Sequence, residues 1–454
     1  MEKKYISPSV ALLTAIGFMI GSGIFFRAPR IVTSTEGNVV IAILAWLFMG
    51  ATLIFAGMAI AEIASRSKST GGFVGYVEEH LGKKAGFIVG WYQVAVYIPL
   101  IVAVLALVIV DFSSKLFGFT YTNGELLLYM ILVLIACFTW NYLSTIIAGL
   151  ISASATVIKL IPLIAIAILG VIYGNPGEIS GSVTIAEPSG SSTLVLFMAP
   201  LLSMAFAFDG WLSAGALAID MKNPQKDLPK IFVGAVVITT IVYTTYFIGI
   251  NSMMDPNSII AEGNGHVGII ANRLFGGMGE KLVLICVVIS VLGTMNAIFM
   301  SGVRYTLKLA QDGFLPGSSK IATVSRFGTY GIASVLILIM TILSCFLYYF
   351  QNEGVGFLQG IGLDDIPIAL NAVFYVFTIG IVFKINKQYK GELSFFKGVV
   401  IPAIGIFGQL FIAIAFFVQA SNIWVPISYM TISILLIGLG FIVCREGLNS
   451  NSAK

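Results

Sequence analysis

The chain has 454 residues, of which 58% are apolar and only 10% charged, with a formal net charge of +4. That balance excludes an ordinary water-facing globular surface, so lipid must be the solvent for much of the molecule. The positive charge is spread over alternate loops instead of gathered on one face, which excludes a nucleic-acid-binding role. Apolar blocks of roughly 20 residues, the length that crosses a hydrocarbon layer about 30 Å thick, recur along the chain. They fall at 8–34, 39–64, 85–112, 124–142, 145–173, 193–220, 229–253, 279–308, 329–350, 356–384, 398–419 and 423–444 and predict twelve transmembrane helices.

Met1 to Tyr5 lead into a long glycine-containing hydrophobic stretch with no small-residue cleavage pattern, so the first helix is expected to remain in the protein. Within it, Thr14 to Pro29 holds Gly17, Gly21 and Gly23, each costing roughly 1 kcal/mol against alanine in a helix interior, and a break is expected there. At the inner end of helix 2, Glu62 and Arg66 have the i, i+4 spacing of a modest ion pair. Lys159 is a cation near the middle of helix 5, where an unpaired charge costs roughly 2.5 kcal/mol or more and must face protein or water. In the sixth block, Asp209 and Gly210 sit mid-membrane, where an unwound backbone lines a cavity.

The two predicted breaks occupy the first helix of each of two five-helix blocks, the layout of inverted-repeat transporters whose substrate lies between broken helices. Close helix packing is the competing explanation for single glycines. The division is residues 1–173, 174–384 and 385–454, the last holding helices 11 and 12 with a short tail. The stretch Lys222 to Lys230 reads as an inner loop with Pro229 near the start of helix 7. Asp364 and Asp365 precede Pro367 and read as caps of a helix start, with ion coupling as the alternative.

Most of the 25 basic residues, among them Lys3, Lys4, Lys83, Lys84, Lys222, Arg326, Lys390, Arg445 and Lys454, fall on the side that holds both termini. Arg27, Arg30, Lys115, Arg273 and Lys281 fall on the other. That bias places both termini in the cytoplasm. Cys137, Cys286, Cys345 and Cys444 all lie within predicted spans and read as small apolar core residues.

Five motifs in order carry a family resemblance. They are Ile20-Gly21-Ser22-Gly23-Ile24-Phe25, Thr70-Gly71-Gly72 with Tyr76 and Glu79, and Phe206-Ala207-Phe208-Asp209-Gly210-Trp211. The other two are Lys222 to Pro229 and Ala310 to Pro316. Through them the chain resembles the amino acid, polyamine and organocation superfamily, and within it the L-type amino acid transporter branch with its bacterial serine/threonine and alanine-serine-cysteine exchangers. The resemblance implies an all-α integral membrane protein of LeuT-like form. Twelve helices make a five-plus-five inverted repeat, broken at helices 1 and 6, with two extra C-terminal helices.

By the family's use of the matching positions, Ile20, Gly21, Ser22, Gly23 and Ile24 would face a substrate carboxylate with backbone N–H groups and the positive end of a half-helix. Carbonyls at Phe206, Ala207 and Asp209 would accept from its ammonium group. The resemblance makes Phe206 an aromatic gate, against the competing reading of an ordinary packed ring, and places Tyr243 near the substrate and the helix 5 lysine. Lys159 would then stand where related carriers bind sodium, with proton coupling as the alternative and a snorkelling structural lysine as the third. Asp209 reads equally as a selectivity residue for a basic side chain or as a cap of the broken helix.

The implied activity is sodium-independent exchange of small neutral L-amino acids across the plasma membrane by alternating access. A proton-coupled importer is the alternative, and an amino acid sensor on the same scaffold a more distant one. No cofactor, metal or obligatory partner subunit is expected. Neither a catalytic pair nor a phosphate-binding loop is present in the sequence to suggest an enzyme or an ATP-driven pump.

Overall fold

The computed structural model describes residues 7–69, 72–175, 177, 179, 192–325, 328–355, 362–389, 391–420 and 422–444. Lys3, Lys4, Thr70, Gly71, Arg326, Lys390, Arg445 and Lys454 lie outside the described residues. In chain order the helices are α1 (Pro8–Met19), α2 (Gly23–Ser34), α3 (Val39–Arg66), α4 (Gly72–Leu81), α5 (Lys83–Phe117), α6 (Asn123–Leu143) and α7 (Thr145–Tyr173). There follow α8 (Thr193–Met198), α9 (Leu201–Phe208), α10 (Pro224–Met253), α11 (Pro256–Glu262), α12 (His266–Gln311) and α13 (Ser318–Ile321). The last four are α14 (Gly331–Asn352), α15 (Asp365–Gln388), α16 (Phe396–Val418) and α17 (Trp424–Val443). No strand occurs among the described residues.

Ten described helical stretches are long and apolar enough to cross a membrane, and α1 with α2, bent by 49° at a short break, make an eleventh. The sixth predicted block is not one continuous helix. Its apolar part, Thr193–Phe208, is followed by a tight 3₁₀ stretch over Trp211–Asp220.

The chain forms two compact units that alternate along the sequence. The first takes residues 1–81, 161–280 and 368–419; the second takes 82–160, 281–367 and 420–454. In the first unit, α3 is the central element, with α10 on one face and α16 on another. Small residues set both approaches. A Cβ added at Gly57 would lie 2.9 Å from Phe232 Cδ1, and one at Gly405 would lie 3.1 Å from Ala56 Cα. Without the interhelical hydrophobic drive that water supplies, such close backbone approach is what holds helices together in lipid.

The second unit is built on α5, α6, α7, α12 and α14 and is pinned by Asn296. The Trp140 indole N–H (2.7 Å) and Asn141 Nδ2 (2.6 Å) donate to Asn296 Oδ1. Asn296 Nδ2 donates to the Ala148 carbonyl (2.7 Å) and to Ser152 Oγ (2.7 Å). The residue is wholly buried, and both ends of its amide are used, which makes this a fully satisfied polar core. Asn296→Leu strands the Trp140 and Asn141 donors. It should cost about 1–3 kcal/mol in thermal unfolding of the detergent-purified protein, and an unchanged midpoint would refute that role.

Several local features differ from the sequence expectations. Gly17 lies within α1, and the break falls at Ile20–Ser22, where Ile20 is extended (φ −75°, ψ 91°). Helix α10 starts at Pro224 rather than near Pro229, because a proline in the first turn sacrifices no helical hydrogen bond. Helix α5 contains a widened π turn over Gln93–Tyr97, which meets the missing N–H of Pro99. Gly276 (φ 73°, ψ 178°) kinks α12. His80 lies in α4, and the buried His266 opens α12. Arg27 is inside α2 and 1% exposed.

The expected Glu62–Arg66 pair is present at 2.7 Å, and Glu392 adds a second carboxylate at 2.8 Å. Near it, Glu79 of α4 ties down the turn after α3. It accepts from the Ser67 hydroxyl, from the Lys68 N–H (3.1 Å) and from the Ser69 N–H (3.3 Å). Partial burial pushes the Glu79 carboxyl up, but these donors outweigh it and hold it below the usual carboxylate value. A carboxyl lowered on folding stabilises above its unfolded pKa, about 4.3, and that contribution is lost as pH falls through the lower folded value. Amide exchange at Lys68 and Ser69 should therefore be slow near neutral pH relative to a Glu79→Gln variant, and the difference should disappear on acidification. Equal protection in both proteins at neutral pH would contradict the assignment.

Candidate functional site

Both helix breaks belong to the first unit, and they meet. In helix 1 the Ile20 N–H reaches back to the Ile16 carbonyl (2.8 Å) and the Gly21 N–H to the Met19 carbonyl (2.9 Å), after which the chain restarts as α2. The first turn of a helix leaves N–H groups that the helix itself does not use, so Gly23 and Ile24 open α2 with donors and a positive dipole end. Ser22, wholly buried, stands at that opening with a hydroxyl that has no protein hydrogen-bond partner.

In helix 6, α9 ends at Phe208. The Asp209 N–H closes the turn on the Phe206 carbonyl (3.1 Å), and Gly210 takes φ +98°. Only glycine adopts that angle without strain, and a Cβ there would also strike the Phe18 carbonyl of α1. At the next point of contact, a Cβ on Gly23 would lie 3.0 Å from Phe206 Cδ1 and 3.1 Å from Ala207 Cα. Two glycines, one from each break, thus let the backbones of helices 1 and 6 touch.

Tyr243 of α10 fastens the junction. Its buried hydroxyl accepts from the Gly21 N–H (3.3 Å) and lies 2.9 Å from the Ala207 carbonyl and 3.1 Å from the Met19 carbonyl. One hydroxyl has one proton, so it donates to only one of these two carbonyls at a time. The Tyr243 ring is held edge-on by Phe208 (5.2 Å) and Trp46 (5.4 Å). Trp46 has no motif to mark it and was not legible as a site residue. Neither was Arg27, whose guanidinium carbon sits 3.9 Å from the centroid of Phe206, with Phe26 edge-on to the same ring at 5.5 Å. Its spacing of four from Gly23 was the available signal.

Phe206 is 8% exposed. Asp209 and Phe208 border a narrow cleft that Asn371, Tyr375 and Gln409 also line. The Asp209 backbone closes the helix while the residue borders this cleft. Asp364 and Asp365, both buried, stand at the start of α15.

Lys159 lies in the second unit. It is 6% exposed, while Val157 (66%) and Ile161 (63%) point outward from the opposite side of α7. The lysine therefore faces protein, not lipid.

Paired helix breaks in an apolar helical chain are an arrangement that membrane carriers use to hold substrate. A family model described as amino acid permease matches residues 6–439, and the chain belongs to that family: it is an amino acid transport protein, not an enzyme. It is similar to the serine/threonine exchanger SteT of Bacillus subtilis (strain 168), 31% identical over 453 residues that cover 100% of this chain and 98% of the relative. It is 26% identical over 385 residues to the large neutral amino acids transporter small subunit 2 of Rattus norvegicus, covering 83% of this chain and 69% of the relative. Against the Asc-type amino acid transporter 1 of Mus musculus it is 25% identical over 340 residues, 71% of this chain and 61% of that one.

Proposed function

We propose that the chain is a sodium-independent exchanger of small neutral L-amino acids. It works by alternating access in the plasma membrane, with twelve spans and both termini cytoplasmic. The observation that carries this reading is the junction of the two breaks at Tyr243, because it sets N–H groups of one break beside carbonyls of the other. A zwitterion losing its water needs both. N–H groups of Gly21, Ser22, Gly23 and Ile24, after the turn at Ile20, bind its carboxylate. The carbonyls of Phe206, Ala207 and Asp209 bind its ammonium group.

Phe206 acts as the gate over this site. Residues 1–173 and 174–384 are the two inverted repeats, with 385–454 appended. Lys159 supplies a fixed cation in place of sodium. The chain acts without an obligatory partner: its four cysteines all fall within the predicted spans, which leaves none outside them for a bond to a second chain. The name of the rat relative, by contrast, marks it as one subunit of a larger carrier. Proton-coupled import is the second reading, favoured by the burial of an ionisable Lys159.

The test is uptake of labelled serine into liposomes holding the purified protein. The interior is either empty or loaded with unlabelled amino acid, with and without sodium or a proton gradient. Uptake that needs internal amino acid and ignores both ions supports exchange. Uptake into empty vesicles driven by protons replaces it with the second reading, and binding without any flux would point to a sensor.

A further inference from the structure

The geometry points to Arg27 as the latch on Phe206, a positioning residue that holds the ring over the two breaks; this rests on the proposed reading of those breaks as the substrate site. Gly23 and Arg27 are four residues apart in α2 and so share one helix face. Both meet the same ring. Gly23 leaves room for the Phe206 edge, with Cδ1 3.0 Å from where a Cβ would stand, and one turn later the Arg27 guanidinium carbon is 3.9 Å from the ring centroid. Phe26 closes the ring from a third direction, edge-on at 5.5 Å.

The burial of Arg27 argues that this contact is built and not incidental. Arg30, three residues on in the same helix, is exposed, whereas Arg27 is 1% exposed. A guanidinium withdrawn from water needs replacement interactions. The negative face of an aromatic ring supplies one, and the interaction strengthens as the pair is desolvated. Arginine suits the role because its planar, weakly hydrated head stacks on a ring, where the ammonium of lysine is a compact, strongly hydrated charge. Phe206 cannot swing off the junction without parting from Arg27, so Arg27 biases the balance between covered and uncovered site. The consequence is retention of bound substrate rather than speed of the conformational cycle.

The experiment is a double-mutant cycle in the full-length protein, with Arg27→Gln, Phe206→Leu and the pair together, and Arg27→Lys as the conservative variant. In liposome exchange of serine, Arg27→Gln should raise KM about tenfold and leave the maximal rate within about twofold. Arg27→Lys should fall between it and the native protein. In the Phe206→Leu background, Arg27→Gln should add nothing. An equal KM change in both backgrounds, or none in the native background, overturns the latch. The same four proteins are compared by thermal unfolding in detergent without substrate, where the latch requires non-additive midpoints. That arm decides the Arg27–Phe206 contact even if serine exchange is absent, an outcome that instead overturns the transport reading.

Discussion

Tyr243→Phe is expected to lower amino acid exchange by about ten- to a hundredfold while the protein still folds, because one lost oxygen removes three contacts at the junction of the breaks. Phenylalanine keeps the ring, and with it the edge contacts to Phe208 and Trp46. It takes the Tyr243 oxygen from the Gly21 N–H, which keeps the Met19 carbonyl at 2.9 Å, and it removes the donor near the Ala207 carbonyl. Losing that buried donor costs about 1–3 kcal/mol. In the proposed mechanism those atoms also set the distance between the carboxylate and ammonium subsites, so the loss should fall on flux and affinity together. Counterflow in liposomes measures it, with thermal unfolding as the control. A variant that exchanges serine at the native rate would show that the hydroxyl does not organise the site.

The membrane-spanning pattern was legible because lipid imposes it: a helix that satisfies its own backbone must be about 20 residues long and apolar. The predicted spans and the described helices agree in most positions, and they part where neighbours rather than local composition decide. Gly17 resembled Gly21 in sequence, yet only the second lies at the break; the sequence offered no way to see that the restart at Gly23 is fixed by the approach of Ala207. Gly210 was legible, since an acid followed by glycine mid-membrane has few other uses, and its φ of +98° bears that out. Tyr243 was placed by resemblance to a family position, but its contacts with both breaks came from the structure. The sequence carried no sign of Arg27's contact, because a cation near the end of an apolar block ordinarily marks an interface. Its partner is a ring 179 positions later in the sequence, and no local pattern reveals a contact of that kind.

Lys159 offers the sharpest separation of function from stability. Lys159→Met keeps an unbranched apolar stem and removes the ammonium group with its charge and its three donors. Thermal unfolding of the purified variant is the control that separates lost function from lost fold. Exchange should nevertheless fall by about a hundredfold or more, because a carrier that uses a fixed cation in place of sodium has nothing else to fill that role. Added sodium should not restore it. Two outcomes would redirect the assignment. Full exchange in Lys159→Met would make the lysine structural. A native protein whose uptake follows an imposed proton gradient, with a Lys159→Met variant that exchanges but no longer responds to that gradient, would make it the coupling group, since only a residue that gains and loses its proton during the cycle links the two flows.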